Sequence, residues 1–170
     1  YNLDNILATI TVGLHGRVDE KDICDAISNY VPANNRSQLT KTERNTLIVD
    51  AYNANPTSMM AAIDNFDIME GENKMAILGD MLELGEQSEV EHQNIVRRLM
   101  ESKIERLILV GKEFSKCIMH NAQCTIDTRF VVYESLDAML ETQCIASLQS
   151  QLVLLKGSNG IGLYKLIPYL

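Results

Sequence analysis

Residues 45–66 read NTLIVDAYNANPTSMMAAIDNF, and the change of pattern inside them decides the fold. Thr46-Leu47-Ile48-Val49 is a short, β-rich apolar run, the signature of a strand covered on both faces. It breaks at Asp50, a polar segment runs to Asn55, and Pro56 opens a run with helical spacing at Met59, Ala62, Ile63 and Phe66. Asn55 suits a helix N-cap and Pro56 a first helical residue, because proline has no N–H to leave unpaired. A strand that passes through a polar loop into a helix N-terminus is where an open α/β sheet binds ligands, since free backbone N–H groups and the helix dipole favour an anion there. The competing reading is a capped βα turn that binds nothing.

The same alternation extends outward. Met75-Ala76-Ile77-Leu78 ends at Gly79-Asp80, residues 106–110 end at Gly111, residues 130–133 form a further run, and residues 152–155 end at Lys156-Gly157-Ser158-Asn159-Gly160. Between them lie helical patterns: Val90, Ile95, Val96, Leu99 and Met100; a helix around 114–119; one over 136–146 capped by Ser135; and a closing helix to Leu170. Residues 37–41 read as a short, polar edge strand. Strands separated by helices imply right-handed crossovers and a mostly parallel sheet with helices on both faces, an α/β fold.

Upstream, Leu3, Ile6, Leu7, Ile10 and Leu14 form one helical stripe stopped by Gly16, and Asp19 caps a second helix carrying Ile23, Ala26, Ile27 and Tyr30. These two helices have no strand between them, so residues 1–33 read as the tail of a preceding domain and 34–170 as the α/β domain. The boundary falls at the turn-prone Pro32-Ala33-Asn34-Asn35. A chain that opens in mid-helix at Tyr1 reads as a piece of a longer protein.

A length of 170 residues suits one domain plus a small extension. The hydrophobic share of 46% and charged share of 22% are those of a soluble globular protein. A formal charge of -8 argues against nucleic acid and anionic membrane surfaces, though not against a phosphorylated small molecule, which needs only a few local donors. Cys24, Cys117, Cys124 and Cys144 show no CxxC spacing and read as buried free thiols in a reducing compartment, the cytoplasm. No apolar run approaches the ~18 residues of a membrane span, and no signal peptide is visible.

Three strand ends are unusually polar or glycine-rich: residues 50–55, 79–86 and 156–160. In a parallel sheet all three lie on the carboxyl edge and would line one cleft. Lys156-Gly157-Ser158 offers an ammonium, a bare backbone and a hydroxyl, the parts of an anion site; the bland alternative is a glycine turn with an exposed lysine. Neither a GxxxxGK[ST] nor a GxGxxG segment occurs, so the chain lacks the usual means of holding a nucleoside triphosphate alone. His92 is a candidate base or hydrogen-bond donor, set against an ordinary exposed helix residue; His15 and His120 carry less signal. Asp80, Glu83, Glu86 and Glu89 could be read as a metal cluster. With no partner histidine and no calcium-loop spacing they read instead as a solvated acidic loop, with Asp80 set apart at its strand end and no metal assigned. Asp50 reads as an exposed strand-end carboxylate.

DAYNANPTSM, LGDMLELG and LLKGSNG together resemble the Mur ligase family, in the branch that adds D-alanyl-D-alanine, and the resemblance covers essentially the whole chain. The opening YNLDN resembles the family's HNxxN segment, with Tyr1 in place of the usual histidine. The resemblance implies a three-domain, cytoplasmic, monomeric ligase that uses ATP and Mg2+ to join D-alanyl-D-alanine to UDP-N-acetylmuramoyl-tripeptide through an acyl phosphate. On it, residues 1–33 are the last helices of the central ATPase domain and 34–170 the Rossmann-like C-terminal domain. It further implies Asn2 and Asn5 near the adenine, Arg36 reaching ATP phosphate, and Asp50 on the ribose. Asn53, Asn55, Asp80 and Ser158 fall on the dipeptide and acyl-phosphate side. Arg36 and Lys156 would offset charge in the transition states. The fragment alone should hold no cofactor and be inactive. Two rivals are a stand-alone α/β module for a small peptide or nucleotide, and a folylpolyglutamate-synthase-like ligase. A GKT-type phosphate loop encoded upstream of Tyr1 would separate the first rival from a ligase.

Overall fold

The computed structural model describes residues 3–30, 38–121, 124, 126–142 and 151–170. Arg36, Asn2 and Cys144 therefore lie outside the described residues. The chain divides into two compact units, Tyr1–Ala33 and Asn34–Leu170.

The first unit holds α1 (Leu3–His15) and α2 (Glu20–Ser28). Asp19 caps α2, its carboxylate accepting the Lys21 N–H at 2.9 Å. Ile23 is buried against Gly13, where a Cβ would meet its Cδ1 at 2.7 Å. Cys24 is exposed, not buried as its apolar neighbours suggested, because it lies off the helix stripe that carries Ile23.

The second unit runs β1 (Gln38–Lys41), β2 (Thr46–Asp50), α3 (Pro56–Ile68), β3 (Lys74–Gly79), α4 (Ser88–Met100), β4 (Arg106–Val110), α5 (Lys112–Met119), β5 (Phe130–Tyr133), α6 (Leu136–Leu140) and β6 (Leu152–Lys156). The strands form one sheet in the order β1-β2-β6-β3-β4-β5, parallel throughout except for the antiparallel edge strand β1. Strand alternation sorts the core into two layers. Leu47, Val49, Ile77, Ile108 and Leu155 face α6 and the C-terminal segment. Ala76, Leu78, Leu107 and Leu154 face α3, α4 and α5 through Met59, Phe66, Ile95 and Phe114.

This layering follows from chain direction. The connections from β2 to β5 step one way across the sheet, and the return to β6 steps back. Right-handed crossovers that run in opposite directions put their connections on opposite faces. β6 thus lies between β2 and β3, and its exit leaves toward the opposite layer from theirs. Adjacent strands whose exits diverge open a crevice above their carboxyl ends.

The closing segment differs from the expected helix. It is two 3-10 pieces, Asn159–Ile161 and Leu163–Tyr169, broken by Gly162 at φ 77° and containing Pro168. Glycine in a left-handed conformation and a proline without an N–H are poor material for an α-helix. The helix after Ser135 ends at Leu140, with Glu141 as its C-cap, short of the expected residue 146; residues 143–146 lie outside the described residues.

Charged side chains brace the frame. Lys74 Nζ donates to the carbonyls of Phe66, Asp67 and Met69 at 3.2, 2.8 and 3.1 Å, a cation at the C-terminus of α3. Arg98 clamps α4 to α3 through Asp64 at 2.7 Å and Asp67 at 2.9 Å. Burial pushes the Asp67 carboxyl up, but the bonds from Arg98 and the Lys103 N–H outweigh it and leave it below its ordinary value of 3.8. The Arg129 guanidinium likewise holds Asp127 down. A carboxyl depressed on folding adds stability above its unfolded value and loses it as pH falls through the folded one. Unfolding midpoints in urea should therefore drop as pH is taken below 3.8, and less steeply in Asp67→Asn; equal slopes for the two proteins would show that the clamp does not contribute.

Candidate active site at the carboxyl edge

Asp50, Lys156 and the end of β3 are set side by side by register: Asp50 pairs with Lys156 across β2 and β6, and Lys156 with Leu78 across β6 and β3. The loops 51–55, 80–82 and 157–160 accordingly emerge together on the carboxyl edge, as their sequence positions predicted.

The first loop is tied down from both ends. Asn55 caps α3, its Oδ1 accepting the Ser58 N–H at 2.8 Å while the Asn55 N–H donates to Ser58 Oγ at 3.2 Å, a reciprocal capping box. At the other end Lys156 Nζ donates to Asp50 Oδ2 at 2.5 Å and reaches the Asn53 carbonyl at 3.4 Å. Lys156 is 1% exposed and Asp50 7%. Both expectations of exposure are corrected here. Alternation places Asp50 and Lys156 on the α3 side of the sheet, where the helix covers them, so each charge is buried against the other. The side chains of Tyr52 and Asn53, by contrast, are exposed.

The second loop is held at three consecutive backbone groups. The N–H of Asp80 donates to the Val110 carbonyl at 3.0 Å, that of Met81 to His92 Nε2 at 3.0 Å, and that of Leu82 to Ser158 Oγ at 2.9 Å. The Asp80 carboxylate, 3% exposed, accepts the N–H groups of Glu113 and Phe114 at 2.9 and 3.0 Å, so it closes the N-terminus of α5. Leu82 and Glu83 stand exposed beyond this anchor, Glu83 in the left-handed region at φ 68°.

Ser158 joins the second loop to the third, since its own N–H donates to the Asp80 carbonyl at 3.2 Å. Gly157 permits the contact: a Cβ there would lie 2.9 Å from Gly79 Cα.

His92 is fully buried, with its ring edge-on to Phe114 at 4.7 Å. The exposed-helix reading fails here. The signal was present: His92, Ile95, Val96 and Leu99 repeat at i, i+3, i+4 and i+7, the buried stripe of α4, whereas Val90 is 58% exposed. The rest of the acidic loop, Glu83, Glu86 and Glu89, is exposed, and among the described residues no three His, Cys, Asp or Glu side chains converge on a metal position. Cys117 and Cys124 are buried free thiols; burial, then the charges of Glu89, Glu113 and Asp80, push Cys117 up to about 11.

Of the residues expected around a nucleotide, Asp50 belongs to this edge. Asn5 is exposed on α1 in the first unit, and Asn2 and Arg36 are outside the described residues. Asn53, Asn55, Asp80 and Ser158 are brought together on the edge, but only Asn53 has a side chain both exposed and outside the anchoring bonds described above.

The sequence model of the family described as "Mur ligase, glutamate ligase domain" matches residues 35–159. The chain is 38% identical over 114 residues to the UDP-N-acetylmuramoyl-tripeptide--D-alanyl-D-alanine ligase of Bacillus subtilis, which covers 66% of this chain and 25% of that protein. It is 30% identical over 134 residues to the Rickettsia prowazekii protein of the same name, covering 79% of this chain and 29% of that one. Among solved structures it resembles MurF of Acinetobacter baumannii, with TM-score 0.82 at 27% identity, over 98% of this chain and 37% of that one. A likeness of fold alone extends to the bifunctional folylpolyglutamate synthase/dihydrofolate synthase of Yersinia pestis, with TM-score 0.59 at 13% identity, over 89% of this chain and 34% of that one. The chain thus spans between 25% and 37% of the length of these relatives.

Proposed function

This chain belongs to the Mur ligase family, carrying its glutamate ligase domain over residues 35–159, and on that premise we propose that it is the C-terminal part of a peptidoglycan-precursor ligase that joins D-alanyl-D-alanine to UDP-N-acetylmuramoyl-tripeptide. The observation that carries the reading is the gathering of loops 51–55, 80–82 and 157–160 over one crevice, each anchored from below and each leaving backbone or side chains exposed above. In the complete protein ATP, with Mg2+, would supply the phosphoryl group that activates the tripeptide carboxylate as an acyl phosphate, which the dipeptide amine then attacks.

The residues of this chain bind and orient. Asn53 and the exposed backbone of the first loop suit the ammonium and amide groups of a dipeptide. N–H groups at the 157–160 turn suit its carboxylate. Lys156, buried 106 residues from its partner in sequence, holds the first loop rather than touching a reacting atom, and its charge adds to the field at the edge. Asp80 and Ser158 serve the site by fixing loop geometry. Asp50 is assigned to the ribose, with Asn2, Asn5 and Arg36 completing the nucleotide side. Residues 1–33 are assigned to the end of the central domain, and the Mg2+ ligands to protein outside this chain. Closing such a domain over two substrates lowers the entropic barrier and keeps water from the acyl phosphate. No helix among the described residues is long and apolar enough to cross a membrane, and we place the enzyme in the cytoplasm as a monomer that binds no nucleic acid.

The test is phosphate release by the complete protein. ATP, the UDP-sugar tripeptide and D-alanyl-D-alanine together should yield phosphate and ligated product, omission of any one should abolish both, and this 170-residue chain alone should yield neither. A complete protein that ligates glutamate instead, or that uses no ATP with these substrates, overturns the proposal.

A further inference from the structure

We propose that His92 is a positioning residue for the loop 80–82, through which α4 sets how tightly the incoming dipeptide is held; the inference rests on the ligase reading above. His92 is 0% exposed and both ring nitrogens are engaged, so it cannot reach a substrate as a base. Nδ1 lies 2.7 Å from the Ser88 carbonyl, which only accepts, so Nδ1 carries the proton. Nε2 is then the acceptor for the Met81 N–H at 3.0 Å. Asp80 Oδ1, 3.7 Å from Nε2, is beyond hydrogen-bond distance and is taken by the Phe114 N–H. The edge-on contact with Phe114 fixes the ring plane, and Phe114 is itself the residue whose N–H holds Asp80. The ring therefore has one tautomer and one orientation, and both serve the Met81 N–H.

That bond is the middle of three. Its neighbours tie Asp80 to β4 and Leu82 to Ser158, so the β3 and β6 loops share one network while the first loop hangs on Lys156 instead. Releasing Met81 should loosen the loop 80–82 and, through Leu82 and Ser158, the 157–160 turn assigned to the dipeptide carboxylate, and leave the nucleotide side in place.

Two variants separate the roles of the ring nitrogens. The His92→Gln amide oxygen can stand near the position of Nε2 and keep the acceptor. His92→Asn can keep a donor to the Ser88 carbonyl but offers nothing to Met81. In the complete ligase, His92→Asn should raise KM for D-alanyl-D-alanine roughly ten-fold, the scale of one buried N–H left unsatisfied, with KM for ATP unchanged. In this chain it should speed amide hydrogen exchange at Met81 and Leu82. His92→Gln should restore most of both. Equal behaviour of the two variants, or a matching rise in KM for ATP, overturns the inference. If His92→Asn does not fold, His92→Gln decides: a ten-fold rise in its KM for the dipeptide overturns it, and a near-normal value supports it. Should the unaltered protein fail to ligate, the ligase reading falls, and the exchange rates at Met81 in the two variants still decide whether His92 anchors the loop.

Discussion

Asp50→Ala should cost this chain about 3–5 kcal/mol of folding stability, because it strands a buried ammonium. Lys156 is 1% exposed, its Nζ bonded to Asp50 at 2.5 Å and lying 3.4 Å from the Asn53 carbonyl. Removing the carboxylate leaves a charge that neither water nor a counter-ion satisfies, and one long neutral contact does not offset that. An exposed strand-end aspartate would predict almost no change. The double variant Asp50→Leu, Lys156→Met tests the cause: with both charges replaced by apolar groups of similar size, most of the loss should be regained. Urea unfolding of the unaltered chain, Asp50→Ala and the double variant measures this recovery. A double variant no more stable than Asp50→Ala would mean that the pair is not what the single change removes. The same double variant in the complete ligase isolates the nucleotide role. If Asp50 also accepts bonds from the ribose, a well-folded enzyme should still show kcat/KM for ATP lower by about ten- to a hundred-fold, at roughly 1.5–3 kcal/mol for a charge-assisted bond.

Why the pair escaped a reading of the sequence is instructive. TLIVD and LVLLK each announce a buried strand that ends on a charge. Nothing local says that the two strands are neighbours, since β6 inserts between β2 and β3 after a return across the whole sheet. Adjacency is set by crossover direction and by which face remains to be covered, both properties of the assembled chain. Local chemistry was legible where its partners are local. Asn55 caps α3 with Ser58, three residues away, as the NPTS segment announces. The three polar strand ends share an edge because parallel strands leave no alternative. His92 lay between these cases: its helical register with Ile95, Val96 and Leu99 was readable, but its partner Met81 sits in a loop whose path no periodicity describes. The 3-10 ending was signalled by Gly160, Gly162 and Pro168, whose backbone limits outweigh the apolar spacing around them.

Gly111→Ala is the other change expected to have a large effect, of at least about 3 kcal/mol, and its cause is again a carboxylate far away in sequence. Gly111 has φ 138° and ψ 164°, a region essentially closed to residues with a Cβ, at a cost of order 1–3 kcal/mol. A Cβ there would also fall on the Asp80 carboxylate. That group cannot step aside cheaply, because its two oxygens hold the N–H groups of Glu113 and Phe114. Glycine at this turn lets the strand-end carboxylate of β3 reach the first turn of α5, and the same carboxylate fixes the loop that carries Met81 and Leu82. The two contributions can be separated by a cycle with Asp80→Ala. The clash vanishes when Asp80 is already truncated, while the backbone strain remains, so Gly111→Ala should cost distinctly less in the Asp80→Ala background than in the unaltered chain. Equal costs in both backgrounds would show that backbone strain alone makes glycine necessary. A cost under ~1 kcal/mol in the unaltered chain would mean that the turn relaxes into another conformation and that Asp80 is not held as tightly as its two bonds imply.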